Sequence, residues 1–192
     1  MRIILGSQSP RRKKILKEIG LDFEIMSADI NERAIREDKP EKLVLAIARA
    51  KAEALKARLF EPAILITADT VVVWKGKIIE KPEDKTEAIK FLERYNIDPV
   101  AEAITGIVAI NLATNKQAEE VDRVKIHFNH FSKEDIDKLI KEGGVLDLAG
   151  GFEVDGELWE RYIKKIDGPK DSAMGLPREI TIGLIEEVGG KI

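Results

Sequence analysis

The 192-residue chain contains no cysteine and only two histidines. Without cysteine there is no disulfide framework, no thiolate nucleophile and no Cys-based zinc site. His127 and His130 fall in a segment of β character. An odd spacing on a strand sends two side chains to opposite faces, so they make a poor metal pair, and no motif assembles a Ser-His-Asp arrangement around them. No apolar run approaches the ~20 residues that span a bilayer, and the N-terminus has no signal-peptide core. No membrane partner is therefore expected, and the expected compartment is the cytoplasm. Aromatic residues are 5% of the chain, and Trp74 and Trp159 read as packing residues rather than base-stacking platforms. Net charge is −3, so no global basic field recruits nucleic acid, and any anion must be bound locally.

What is present is an apolar fraction of 44% and a charged fraction of 35%. The first describes a globular chain, and the second exceeds the usual quarter or so. Heavy Lys and Glu use without Cys follows the thermophile trend. This length suits a single domain, 1–192, or two small lobes with a break near residues 80–100.

The opening segment is the richest in information. Ile3, Ile4 and Leu5 end at Gly6. Ser7 and Ser9 follow, and Pro10 begins a helical apolar spacing through Ile15, Leu16 and Ile19, stopped by Gly20. Serine before a first-turn proline is a helix N-cap. A strand, a tight turn and a helix N-terminus with Arg11 and Arg12 beside it favour a bound anion. The turn lacks both the P-loop and the dinucleotide fingerprints, and a solvated, well-capped helix start also accounts for its composition.

Further along, residues 23–26 read as a strand. Pro40 opens a helix to about Leu59, with Leu43, Ile47, Ala50, Ala54 and Leu55 on its apolar face. Residues 63–67 are an apolar strand ending at Ala68-Asp69-Thr70. Residues 71–74 and 77–79 form a hairpin, and a helix follows near residues 84–95. Residues 100–112 and 119–128 have β character. Ser132-Lys-Glu-Asp135 is a capping box for a helix to about Lys141. Residues 146–156 are a Gly-rich acidic loop, 158–166 are ambiguous between helix and strand, 168–177 are a loop, and 178–187 are a last helix. Alternating strands and helices followed by paired strands predict an α/β fold with a mixed sheet.

Asp69, at the C-terminal end of its strand, stands where open α/β sheets hold ligands. It could bind Mg²⁺ or take a proton from water, or merely bond its own turn. Lys51, in an Ala-rich helix, also reads as a surface lysine, with Arg49 and Glu53 on the surface. Glu32, a loop acid, and Lys81, before Pro82, also read as solvated charges when taken singly.

Taken in order, these pieces resemble one family. Ser7-x-Ser9-Pro10-Arg11-Arg12, Glu32, Lys51-Ala52, Ala68-Asp69-Thr70-Val71-Val72, Lys81-Pro82, Thr105-Gly106, Asp147-x-Ala149-Gly150-Gly151-Phe152 and Gly175-Leu176-Pro177 look like the Maf nucleoside triphosphate pyrophosphatases. The resemblance implies a curved mixed sheet flanked by helices, with two lobes around a deep cleft as in inosine triphosphatase, often as a homodimer. It implies hydrolysis of a nucleoside triphosphate to the monophosphate and pyrophosphate with a divalent cation (Mg²⁺, Mn²⁺ or Co²⁺). The substrates would be dTTP and UTP or non-standard nucleotides cleared from the pool.

By resemblance, Asp69 is the proton acceptor, Glu32 is a further catalytic residue, and Asp69 and Glu32 hold the metal or activate water. Lys51 and Lys81 are catalytic cations, and Ser7, Ser9, Arg11 and Arg12 bind phosphate. Arg11, Thr70 and Asp155 fall at the specificity positions. The family's usual glutamine is replaced by Asp155, and an ionised Asp only accepts hydrogen bonds. This leaves the base preference open. The changed segment at residues 168–174 does the same. The rival readings are an inosine triphosphatase-type enzyme and a non-catalytic nucleotide-binding regulator linked to cell division. Retention of Asp69, Lys81, Lys51 and Arg12 argues against the regulator.

Overall fold

A computed structural model describes residues 2–192. Seven strands form a mixed sheet in the order β2-β1-β3-β5-β6-β7, with β4 on β3. Parallel pairing joins β1 (Ile3–Leu5) to β2 (Glu24–Ile25) and to β3 (Ile64–Trp74). Antiparallel pairing joins β3 to β4 (Lys77–Ile79), and β6 (Gln117–Phe128) to β7 (Ile163–Asp167). The remaining strand is β5 (Val100–Asn111). The expected α/β class with a mixed sheet and flanking helices is what the structure has.

Local chemistry sets the helix ends. Helix α1 (Pro10–Ile19) is capped by Ser9 and closed by left-handed Gly20. Helix α2 (Pro40–Lys56) carries proline in its first turn. Helix α3 (Lys85–Ile97) has Asp84 as its N-cap, and α4 (Lys133–Glu142) has the full Ser132–Asp135 capping box. Helices α5 (Glu157–Glu160) and α6 (Lys170–Ala173) are single turns, and α7 (Arg178–Glu187) is the last helix. The ambiguous stretch thus divides into α5 and β7, and the loop expected at 168–177 contains α6. No helix among the described residues is long and apolar enough to cross a membrane.

Three expectations change. The apolar strand does not stop at Thr67 but continues through Asp69 to Trp74, because backbone pairing does not require an apolar side chain at each position. His130 lies beyond β6, and His127 on β6 pairs with Asp167 of β7 at 2.7 Å. On α2 the buried set is Leu43, Val44, Ile47, Ala48, Lys51, Ala52 and Leu55, whereas Ala50 and Ala54 are half-buried. Alanine does not mark a face, so the period alone could not fix the rotation of this helix.

The chain forms two compact units rather than dividing once near residues 80–100. One comprises residues 2–70, Ile104–Asp122 and Gly175–Ile192, and the other Val71–Ala103 and Arg123–Met174. The first has an aliphatic core that includes Ile4, Ala48, Leu55, Leu65 and Val108. All aromatic residues except Phe23 and Phe60 belong to the second unit. There Tyr95 stacks on Phe128 and Phe131 stacks on Tyr162. Trp159 is fully buried, and the indole N–H of Trp74 donates to Asp98 O, so both tryptophans pack, as expected.

Candidate active site

In the first unit, β1 stops at Leu5 while its parallel neighbour β3 runs on. The register pairs Leu5 with Ile66, so Asp69 lies three residues beyond the carboxyl end of β1. That is the crevice position of open α/β sheets. Helix α2 covers the β3 face that bears Thr67 and Asp69. Thr67 Oγ1 donates to Ala48 O at 2.8 Å, and one turn later Lys51 Nζ donates to Asp69 Oδ1 at 2.8 Å. Three residues of helix are here matched to two of strand.

Lys51 also lies 3.0 Å from Glu32 Oε1, which sits on a one-turn 3-10 helix, Glu32–Ala34. Lys51 and Asp69 are each 8% exposed, whereas the Glu32 side chain is 49% exposed. One ammonium thus holds a buried and a half-exposed carboxylate together. The surface reading of Lys51 does not hold, while Arg49 and Glu53 are exposed as expected. Arg49 instead pairs with Glu119.

Thr70 projects to the opposite face of β3. Its Oγ1 accepts from Arg12 Nη2 at 2.9 Å and lies 2.9 Å from Thr105 Oγ1. The remaining Arg12 donors reach Gly175 O (2.9 Å), Ala68 O (2.8 Å) and Ser7 Oγ (3.3 Å). Burial pushes the Arg12 pKa down, with the Asp69 charge opposing the shift, and a guanidinium stays protonated regardless. Arg12 is therefore a buried cation whose guanidinium bonds four partners in the protein. By contrast, the half-buried Arg11 side chain forms no hydrogen bond or ion pair among the described residues.

In the turn, Ser7 Oγ accepts from Ser9 N and from Arg12 Nη1, and Ser9 Oγ accepts from Arg12 N. Both hydroxyls thus act as acceptors toward the protein and keep a proton to donate. Pro10 has no N–H, and the amides of Arg12 and Lys13 bond Ser9, so the two hydroxyl protons, the Arg11 amide and the Arg11 side chain are the donors this turn has for an anion.

Thr105 and Gly106, whose part was not legible in the sequence, are structural. Thr105 is 1% exposed and bonds Thr70. A Cβ on Gly106 would come within 2.8 Å of the α2 backbone at Val44 and Leu45, so glycine lets that helix approach β5.

The other two candidates lie in the second unit. Lys81 is exposed just past β4 and forms no hydrogen bond or ion pair among the described residues. Asp155 is half-buried in the loop before α5. The structure thus brings together Ser7, Ser9, Arg12 and Thr70 on one side of β3, and Glu32, Lys51 and Asp69 on the other.

A sequence model of the family described as Maf-like protein matches residues 2–188. The chain belongs to the Maf family. Among Maf relatives, it is 40% identical over 193 residues to a 7-methyl-GTP pyrophosphatase of Dictyostelium discoideum, covering 97% of this chain and 96% of that one. It is 33% identical over 175 residues to a dTTP/UTP pyrophosphatase of Alkaliphilus oremlandii, covering 91% and 90%. Among solved structures it overlays a dITP/XTP pyrophosphatase from Mycobacterium abscessus with a TM-score of 0.43 and 12% identity, over 95% of this chain and 92% of that one.

Proposed function

We propose that this Maf chain hydrolyses nucleoside triphosphates to the monophosphate and pyrophosphate. The observation that carries the proposal is the buried Asp69 carboxylate, held by Lys51 and accompanied by Glu32, on a strand whose parallel neighbour ends in a donor-rich turn. Asp69 takes a proton from water as the water oxygen bonds to the α-phosphorus. The bridging α–β P–O bond breaks, and its electron pair leaves with pyrophosphate. Ser7, Ser9 and the side chain and amide of Arg11 hold phosphate oxygens. Arg12 supplies charge and keeps the turn in place. Lys51 fixes the rotamer of the base. Lys81 enters by its motif position, as a cation for the charge that builds on the leaving group.

Asp69 and Glu32 are hard oxygen donors, and they fit a Mg²⁺-type ion, which takes one or two carboxylates and fills its shell with water and phosphate oxygens. No group of three or more His, Cys, Asp or Glu capable of holding a metal occurs among the described residues. The donor set therefore suits a cation that comes with the substrate, be it Mg²⁺, Mn²⁺ or Co²⁺. Bound there, such an ion would neutralise phosphate charge.

Asp155 supports a base that donates hydrogen bonds. Guanine presents N–H donors on its pairing edge, and 7-methylation adds a positive charge that a carboxylate favours. The relative named for 7-methyl-GTP points the same way. Clearing such nucleotides from the pool is the role that fits. The test is a panel of natural and modified triphosphates with Mg²⁺ or Mn²⁺, followed for pyrophosphate release. Release of orthophosphate would move the cleavage position, and no turnover with any metal would leave the nucleotide-binding regulator.

A further inference from the structure

In the second unit, helix α3 presents Tyr95, which is 1% exposed, to the Gly-rich loop. Its ring stacks on Phe128 with centroids 4.4 Å apart and meets Phe152 edge-on at 5.7 Å. A phenylalanine would make the same ring contacts. What tyrosine adds is a hydroxyl, which donates to Gly150 O at 2.8 Å. Burying that hydroxyl among aromatic rings is unfavourable unless it is bonded, so the bond accounts for a tyrosine here.

Gly150 is held from its other side as well. Its N–H donates to Glu80 O at 3.2 Å, and Glu80 is the residue before Lys81. Gly150 adopts φ +70°, and a Cβ there would meet Val72 Cγ1 at 2.8 Å, so the loop has little room to settle elsewhere. The same loop continues through Phe152 to Asp155. One glycine thus joins three features: the helix that carries Tyr95, the strand end that carries Lys81, and the loop that carries Asp155.

We propose that the Tyr95 hydroxyl is a positioning group that clamps Gly150 between α3 and Glu80, and so fixes Lys81 and Asp155 in one geometry. Base choice and phosphate handling are then coupled through a residue that touches no substrate. This rests on the roles given above to Lys81 and Asp155. Burial pushes the Tyr95 pKa up, so the phenol remains a donor throughout the working pH range.

Tyr95→Phe keeps the ring and removes the hydroxyl, and Tyr95→Leu removes both. The readouts are kcat and KM with Mg²⁺ on 7-methyl-GTP and on dTTP, together with amide hydrogen exchange across residues 148–152. Loss of the hydroxyl leaves a buried carbonyl unpaired, so kcat/KM on the better substrate should fall about tenfold. The ratio between the two substrates should narrow, and exchange at Gly150 and Gly151 should quicken. Tyr95→Leu should also lower Tm.

If Tyr95→Phe lowers only Tm, with kcat/KM, the substrate ratio and exchange unchanged, the hydroxyl serves packing alone and the proposal is overturned. If the wild type turns over neither nucleotide nor any other triphosphate, the enzymatic reading fails separately. The exchange measurement then decides, and unchanged protection of residues 148–152 in Tyr95→Phe rejects the clamp.

Discussion

Lys51 Nζ sits 2.8 Å from Asp69 Oδ1, both side chains nearly out of solvent. Removing one partner of a buried pair strands the other charge, which typically costs about 3–5 kcal/mol. Lys51→Met should therefore unfold at markedly lower denaturant concentration. Asp69→Asn retains an oxygen to accept from Lys51, and Glu32 still pairs with the ammonium, so it should fold and lose less stability than Lys51→Met. It removes the proton acceptor, so its kcat should fall by about 10²–10⁴. Near-normal turnover by a folded Asp69→Asn protein would take Asp69 out of the catalytic role.

Arg11 and Arg12 are adjacent in sequence and opposite in circumstance. Arg12→Ala leaves the carbonyls of Gly175 and Ala68 and the Thr70 hydroxyl without their donor. Urea titration should register a loss of at least about 3 kcal/mol. Arg11→Ala removes a side chain that bonds nothing among the described residues, so its Tm should stay put while KM for the triphosphate rises. The reverse pattern, a stable Arg12→Ala and a destabilised Arg11→Ala, would exchange the two roles.

Much of this arrangement was legible where the chemistry is local. Ser9 with Pro10, the Ser132–Asp135 box and Gly20 each act within a few residues, and each helix begins or ends where they predicted. Asp69 was legible as a residue but not in its setting. A polar side chain closed the apolar run in the sequence, while the backbone ladder carried the strand five residues further. Lys51 was hidden because alanines on every side of it erased the apolar face. Arg12 was legible as a cation at an anion turn, but its bonds to Ala68, Thr70 and Gly175 reach across 56 to 163 residues, and no periodicity reports them. The Tyr95 bond to Gly150 spans 55 residues. A single signal pointed toward it: a tyrosine in a chain with only two.

Acid should loosen the β6–β7 pairing in a defined window. Hydrogen bonds from Lys165 and then His127 lower the Asp167 carboxyl from 3.8 to about 2. A carboxylate whose folded pKa is depressed contributes stability above its unfolded pKa and loses it as pH falls through the folded one. The wild type should therefore melt above Asp167→Asn at neutral pH. The gap should close between about pH 4 and pH 2. This pair is solvent-exposed, so the gap should also shrink with added salt. A gap that stays constant down to pH 2 would mean that Asp167 contributes by packing rather than by charge.

Asp155 carries the prediction about the base. Its carboxylate can only accept, whereas glutamine at the same place both accepts and donates and so complements the mixed edge of thymine or uracil. Asp155→Gln should raise kcat/KM for dTTP and UTP and lower it for 7-methyl-GTP. A bidentate or charged contact of this kind is worth about 1–3 kcal/mol, so the preference ratio should move by roughly ten- to a hundredfold. Asp155→Asn separates charge from shape. It keeps the short side chain and gains a donor, so a preference for the cationic base that survives in Asp155→Asn would assign the effect to loop geometry. If it is lost there and reversed in Asp155→Gln, the carboxylate's charge and acceptor-only character select the base.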